Sequence, residues 1–143
     1  MGFHADVQNG IVALLEAALP SRVPVFNLVE TSERELNRTA AGVALMRESI
    51  DYEPHPEINP NTATVDQGAE WTWVLYVWGG GGKARSTDKG AEVDLLLEAV
   101  QVALNAQRPT TDCGPMHITS EDFEEMAGSS VAYVQRWRHR RLA

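Results

Sequence analysis

The chain has 143 residues, of which 43% are hydrophobic and 22% are charged, and these values predict one folded domain, 1–143, with an ordinary core. The formal net charge of −8 speaks against a general nucleic-acid binder and against docking on an anionic membrane surface. The single cysteine excludes an internal disulfide, and no apolar run is long enough to cross a bilayer. The N-terminus lacks the pattern of a secretory signal, so we expect a protein made in a reducing cytoplasm.

The first part of the chain predicts a helix followed by two strands. Apolar side chains recur at helical spacing from Val7 to Leu19, and Pro20 ends the pattern because proline has no amide hydrogen. Gly10 is expected to weaken this helix. Short apolar runs at 25–29 and 43–47 then predict strands.

The next segment, 51–66, forms a proline-rich loop in this interpretation. It contains Pro54, Pro56 and Pro60, and three prolines this close exclude a helix and an interior strand. Structureless stretches of about 15 residues are long for a compact domain. We expect either a mobile surface loop or an arm that becomes ordered against a partner, and the three prolines are candidate interface residues.

Residues 70–78 give the strongest strand signal in the sequence. Apolar side chains occupy both faces, which indicates a central strand covered on both sides or a strand with one face at a subunit interface. Core packing is expected for Trp71 and Trp73. Trp78 lies beside a run of four glycines, and we expect it to be exposed or at an interface.

A glycine-rich loop, 79–87, leads to a second helix. Thr87 or Asp88 is the expected N-cap, and the helix is expected to end near Gln107. Its apolar stripe consists of Val93, Leu96, Leu97, Val100 and Leu104, widened by Leu95, Ala99 and Val102.

The last part of the chain predicts two more strands. The first covers 116–119, an acidic connector follows at 121–127, and a second strand alternates from 130 to 138. Few helices and tightly connected strands indicate an α+β fold, a mostly antiparallel sheet with two main helices packed on one face.

The sequence contains no motif that predicts a catalytic or metal-binding site. Gly82-Lys83 is followed by Ala84, so the hydroxyl of a phosphate-binding loop is missing. The histidines lack the spacing of a metal site, and Cys113 is flanked by Asp112, whose charge disfavours a thiolate. We therefore expect no catalytic residue, no metal and no cofactor.

The C-terminal residues differ from the acidic remainder. Arg136, Arg138, Arg140 and Arg141 are four of the 12 basic residues. A basic strip on an acidic body is suited to pairing with the acidic face of a second copy, and contact with phosphates is the alternative. Arg136, Arg138 and Arg140 are thus candidate interface residues.

The order of these elements resembles that of small phage tail-terminator proteins. The resemblance extends over nearly the whole chain: the helix with the apolar run 11–15, the proline-rich stretch before the strand 71–77, the helix 93–104, and the closing strand 133–137. It implies a small α/β structural protein of the virion, assembled in the host cytoplasm. Such proteins form a ring, commonly a hexamer, at the head-proximal end of the tail tube.

The implied partners are further copies of the chain, the tail tube protein, and a head-completion or neck protein. The ring would stop tube polymerisation, and DNA would pass through it without specific binding. Two other interpretations remain open: a different neck or head-tail connector protein, or a small non-viral protein-binding adaptor domain. An enzyme is the remaining alternative, and it would require a polar cleft that the sequence does not indicate.

Overall fold

The computed structural model describes residues 3–27, 40–52, 57–59, 64–66, 68–80, 86–125 and 131–141, and within them the backbone forms two helices and seven strands. In chain order these are α1 (Phe3–Ala18), β1 (Val25–Asn27), β2 (Gly42–Tyr52), β3 (Glu57–Asn59), β4 (Thr64–Asp66), β5 (Ala69–Gly79), α2 (Ser86–Leu104), β6 (His117–Glu125) and β7 (Val131–Arg141).

Five of the strands form one sheet in the order β1-β2-β5-β7-β6. β1 runs parallel to β2, and the other neighbours are antiparallel. The most apolar strand, β5, lies in the middle, as expected for a strand with apolar side chains on both faces. The predicted α+β class with a mostly antiparallel sheet is confirmed.

Both described helices contribute to one core with a single face of the sheet. Val7, Ile11 and Leu15 of α1 and Val93, Leu97 and Val100 of α2 are buried in one cluster with Val43, Leu45, Trp71, Trp73, Leu75, Val77 and Trp137 of the sheet. We call this side the helix-covered face. The opposite side, which we call the far face, holds a smaller cluster of Ala44, Trp78 and Ala132, with Phe26 and Tyr76 against it.

The alternation predicted for the last strand is confirmed. Trp137 belongs to the core of the helix-covered face and the partly buried Tyr133 packs against that core, whereas Ala132 belongs to the far-face cluster. Burial of Trp71 and Trp73, which are 1% and 0% exposed, also confirms the expected core packing.

The proline-rich segment contains regular structure that the sequence did not predict. β3 and β4 pair antiparallel, with Ile58 opposite Val65, as a two-stranded sheet separate from the main one. The expectation of a stretch without secondary structure is therefore wrong for these residues, because β2 continues to Tyr52 and a short hairpin follows. Pro54, Pro56 and Pro60 lie outside the described residues.

The prediction of an acidic connector at 121–127 is wrong for residues 121–125. His117 to Glu125 form one strand, β6, at the edge of the sheet, with an irregularity in pairing between Ile118 and Ser120. Charged side chains are compatible with an edge strand because its open side faces water. The predicted N-cap is also displaced, since α2 begins at Ser86 and Thr87 and Asp88 lie within its first turn.

Two glycines are required by close approach and not by backbone freedom. A Cβ atom on Gly10 of α1 would overlap the carbonyl of Pro109, in the segment after α2. A Cβ atom on Gly42 would lie 2.5 Å from the indole of Trp78. Glycine at this position lowers the helix propensity of α1, but it lets α1 approach the backbone of Pro109 more closely than any larger residue would allow.

Candidate assembly surfaces

The three predicted interface arginines lie in one row on the far face. Arg136, Arg138 and Arg140 are alternate residues of β7, so their side chains leave the strand on the same side. The pairing register places them opposite Val74, Thr72 and Glu70 of β5, respectively. The structure therefore brings together what the sequence predicted as a strip.

Carboxylates of the same chain partly neutralise this row. Nε of Arg136 lies 3.1 Å from Oε2 of Glu48, and its Nη1 lies 3.7 Å from Oδ2 of Asp122. Nη1 of Arg138 lies 3.8 Å from Oε1 of Glu70. These side chains are roughly half exposed, so each pair contributes less than about 1 kcal/mol to stability. The row therefore contains alternating basic and acidic side chains and is not a purely basic strip.

The ion pair between Arg136 and Glu48 reaches across the central strand on the far face. Arg136 on β7 pairs with Val74 of β5, and Glu48 lies on β2 at the pairing irregularity between Arg47 and Ser49, on the other side of the central strand. Val74 is only 3% exposed although it points to the far face. The aliphatic part of arginine commonly covers apolar side chains in this way.

Trp78 differs from its expected exposure. Its side chain is 1% exposed, and its ring stacks on that of Phe26 with 5.9 Å between the centroids. The indole also lies against Gly42, where the absence of a side chain leaves room for it. The expectation that Trp78 is exposed is therefore wrong, and its contribution to an interface stays a prediction.

Exposed apolar side chains on α2 and on β6 were not predicted from the sequence. Leu95 and Val102 were predicted to widen the core stripe, but they are 68% and 75% exposed. They lie seven residues apart, two helical turns, on the side of α2 opposite the core. Phe123 of β6, 62% exposed, lies on the helix-covered side, since it pairs with Tyr133, which packs against the core of that face.

A network of polar side chains connects α2, β6 and β7. Nε2 of Gln135 donates to Oε1 of Glu121 at 2.8 Å, and Nε1 of Trp137 donates to Oε1 of Gln135 at 2.9 Å. Nε2 of Gln101 donates to the same Oε1 of Glu121 at 3.4 Å. The groove between the two elements has a volume of about 340 Å³ and is lined by Gln101, Val102, Asn105, Ile118 and Trp137.

The buried titratable groups serve packing. His139 is 0% exposed, and its Nε2 accepts a hydrogen bond from Nε1 of Trp73 at 2.9 Å. Burial lowers the pKa of His139 below its ordinary value of 6.5, which favours the neutral imidazole that accepts this hydrogen bond.

Cys113 is buried, with its Sγ 3.3 Å from the hydroxyl of Thr110. Within the described ranges, His, Cys, Asp and Glu form no group of three that could hold a metal ion.

Neither described helix combines the length and the apolar character needed to span a bilayer.

Comparison of the sequence with protein-family models and with curated proteins gave no match. Among solved structures, a chain from the virion of a native gene transfer agent particle superposes on this chain with a TM-score of 0.56. The superposition covers 99% of this chain and 95% of that one, at 14% sequence identity. The two chains therefore share a fold along nearly their whole lengths.

Proposed function

We propose that this protein is a structural component of a phage or phage-derived virion that acts by assembly and not by catalysis. The observation that supports this most is the shared fold with a chain of a gene transfer agent virion, since it covers nearly the whole of both chains. Such coverage is typical of two chains that each consist of the same single domain.

Within such a particle we propose the role of tail terminator. Copies of the chain form a ring, of six subunits by the resemblance drawn from the sequence, on the head-proximal end of the tail tube. The ring stops addition of tube protein and presents a surface to a head-completion or neck protein. The net charge of −8 suits a channel for DNA, since like charges repel phosphates from its wall.

Two measurements on the full chain test this function. Light scattering after size-exclusion chromatography should give a mass near six times the 15.7 kDa of the chain, and electron microscopy should show rings. Added to polymerising tube protein, the chain should shorten the tubes and appear at one end of each. Binding to a neck protein without any effect on tube length would instead assign it to the connector.

A further inference from the structure

The outer side of β6 is an open strand edge. β6 is the last strand in the sheet order β1-β2-β5-β7-β6, so β7 pairs with one side of it and no described strand pairs with the other. Alternate backbone amides and carbonyls of an edge strand point away from its neighbour and are available to a further strand. The pairing of β6 with β7 is regular from Ser120 to Glu125, so this part of β6 presents an uninterrupted edge.

The side chains along this edge are acidic on both faces of the sheet. Glu121 lies on the helix-covered side, since it pairs with Gln135, and Asp122 and Glu124 lie on the far side. All three carboxylate side chains are exposed. Like charges oppose the pairing of two such edges, whereas a segment with basic residues at alternate positions is attracted to this one.

An exposed aromatic side chain lies in the middle of the acidic edge. Phe123 is 62% exposed, and its ring contacts that of Tyr133 edge to face, with 5.6 Å between the centroids. A strand added outside β6 would cover the ring of Phe123 with the side chain opposite it, and burial of an aromatic side chain in a cross-strand pair favours such pairing. The edge thus combines open backbone groups, negative charge and one apolar anchor.

The groove between α2 and β6 continues this surface toward the start of the strand. Ile118 of β6 lines it together with Gln101, Val102 and Asn105 of α2, and its volume is about 340 Å³. The hydrogen bond from Gln101 to Glu121 shows that α2 runs beside the helix-covered side of β6. Side chains of an added strand alternate between the two faces of the sheet, so those on the helix-covered side would lie at this groove.

A second copy of the chain offers no suitable strand among its described residues. The other edge of the main sheet is β1, which covers only Val25–Asn27 and has no basic residue. β7 carries arginines, but β5 and β6 pair with its two sides. The strands of the small sheet, β3 and β4, each carry a carboxylate and no basic residue. The complementary segment therefore belongs to a different protein.

We propose that the outer edge of β6 binds an extended segment of a partner protein with basic residues at alternate positions, and that this segment pairs with β6 as a further strand of the main sheet. Backbone hydrogen bonds supply the affinity. Basic side chains opposite Asp122 and Glu124, with an apolar side chain opposite Phe123, supply the selectivity. The inference rests on the proposed function only in assigning the segment to another component of the particle.

The probe is a synthetic peptide of about eight residues in which arginine alternates with valine. Titrated with the full chain and followed by fluorescence anisotropy, it should bind with saturation. A peptide with glutamate in place of arginine should bind at least about tenfold more weakly, because its charges repel the acidic edge.

Two N-methylated peptides separate strand pairing from attraction by charge alone. Amides of alternate residues point to the same edge of a strand, so methylation of every valine amide blocks one edge of the peptide and methylation of every arginine amide blocks the other. Only one edge of the peptide faces β6. One methylated peptide should therefore lose at least about tenfold in affinity, and the other should bind like the parent peptide.

Variants of the full chain locate the site. D122K/E124K reverses the charge on the far side of β6, and the control E16K/D112K makes the same change of net charge at exposed positions of α1 and of the loop before β6. The first should weaken binding of the arginine peptide at least about tenfold and strengthen binding of the glutamate peptide. The control should change neither, because a salt concentration of about 0.15 M screens distant charges.

Phe123→Thr tests the apolar anchor. Threonine keeps a high strand propensity, so thermal unfolding should change little while the peptide binds several-fold more weakly. Circular dichroism of every variant checks that it is folded. Affinity equal to that of the wild type would show that the ring of Phe123 makes no contact with the segment and would contradict the register proposed for it.

Two further outcomes would overturn the inference. Equal binding of the two methylated peptides would show that no backbone pairing takes place, and binding unchanged in D122K/E124K would place the site elsewhere. Both leave the proposed function intact, because ring formation and tube capping by the wild-type chain are measured separately. A chain that fails to cap tubes but distinguishes the two methylated peptides would keep this surface and lose the terminator role.

Discussion

Two buried indoles on the helix-covered face, those of Trp73 and Trp137, donate hydrogen bonds inside the core. Trp73 donates to His139, and Trp137 donates to Gln135, which in turn donates to Glu121. Each indole thus keeps a hydrogen bond while its ring stays in the core, which avoids the cost of about 1–3 kcal/mol for an unsatisfied buried donor. These pairings couple neighbouring strands and join the edge strand to α2.

We predict that stability falls in mild acid because of His139. Its pKa is lowered from 6.5 in the folded chain by burial, so the unfolded chain binds the proton more readily. The stabilisation is complete above about pH 6.5 and decreases as the pH falls toward the folded pKa, by at most about 1.4 kcal/mol per pH unit. Denaturant unfolding between pH 5 and 8 measures it.

The matched variant is His139→Gln, which removes the titrating group. Its free energy of unfolding should depend less on pH over this range than that of the wild type, although it is lower overall. Parallel profiles for the two proteins would contradict the assignment. A proton titration of the imidazole by NMR gives the same answer independently.

Replacing Thr72 with valine should stabilise the chain. The hydroxyl of Thr72 is buried without a hydrogen-bond partner among the described residues, and its side chain is 4% exposed. Valine has a similar shape and removes the desolvated hydroxyl, so we expect a gain of about 1 kcal/mol in the free energy of unfolding. Thr119, whose hydroxyl donates to the carbonyl of Arg136 at 3.3 Å, is the control. T119V should be neutral or slightly destabilising, and a destabilising T72V would contradict the prediction.

At the scale of elements, the end of α2 shows how the chain turns toward β6. The helix ends at Leu104, and Ala106 adopts a left-handed conformation with φ of 61°. Its amide donates to the carbonyl of Met116 at 2.9 Å, and the amide of Met116 donates to the carbonyl of Gln107 at 2.8 Å. A helix end is thereby joined directly to the start of the edge strand.

Ala106→Gly should increase stability, because glycine adopts the left-handed conformation without the steric cost that a Cβ brings. The expected gain in the free energy of unfolding is about 1 kcal/mol. Ala91, exposed within α2, is the matched position, where glycine should cost about 0.5–1 kcal/mol. Thermal unfolding of both variants measures the difference. A loss of stability in A106G comparable to that in A91G would show that the turn does not require this conformation.

The whole molecule presents unlike surfaces on its different sides. The far face combines the buried Trp78 cluster with the ion pairs of Arg136 and Arg138. The helix-covered side exposes the apolar stripe of α2 beside an acidic edge strand. The two sides of the described structure therefore differ in charge and in apolar exposure.

In the proposed ring, pairing of the basic strip of one copy with an acidic face of the next predicts that self-association weakens as salt is added. Raising the ionic strength from about 0.1 M to about 1 M shortens the Debye length from about 10 Å to about 3 Å and screens exposed charges. We expect the midpoint concentration of wild-type assembly to rise several-fold over this range in sedimentation experiments. For R138Q/R140Q the salt dependence should be smaller. Association that strengthens with salt would show that apolar contact alone drives it.

The sequence by itself determined the order of the two helices and the five strands of the main sheet, the α+β class and the central core strand, because periodicity within short segments indicates each element. It also determined which side of β7 carries Arg136 and Arg138, since alternation is a local property. It mispredicted Leu95 and Val102, because a helix with apolar residues around most of its circumference does not show which side the sheet covers.

Only the tertiary structure decided which side chains are exposed and which are paired. The acidic segment at 121–125 became an edge strand because β7 supplies its hydrogen bonds, and Trp78 became buried because Phe26 and Gly42 come together around it. The arginines obtained carboxylate partners from β2, β5 and β6, up to 88 residues away in sequence. Exposure and pairing depend on contacts between distant segments, and no local pattern specifies those contacts.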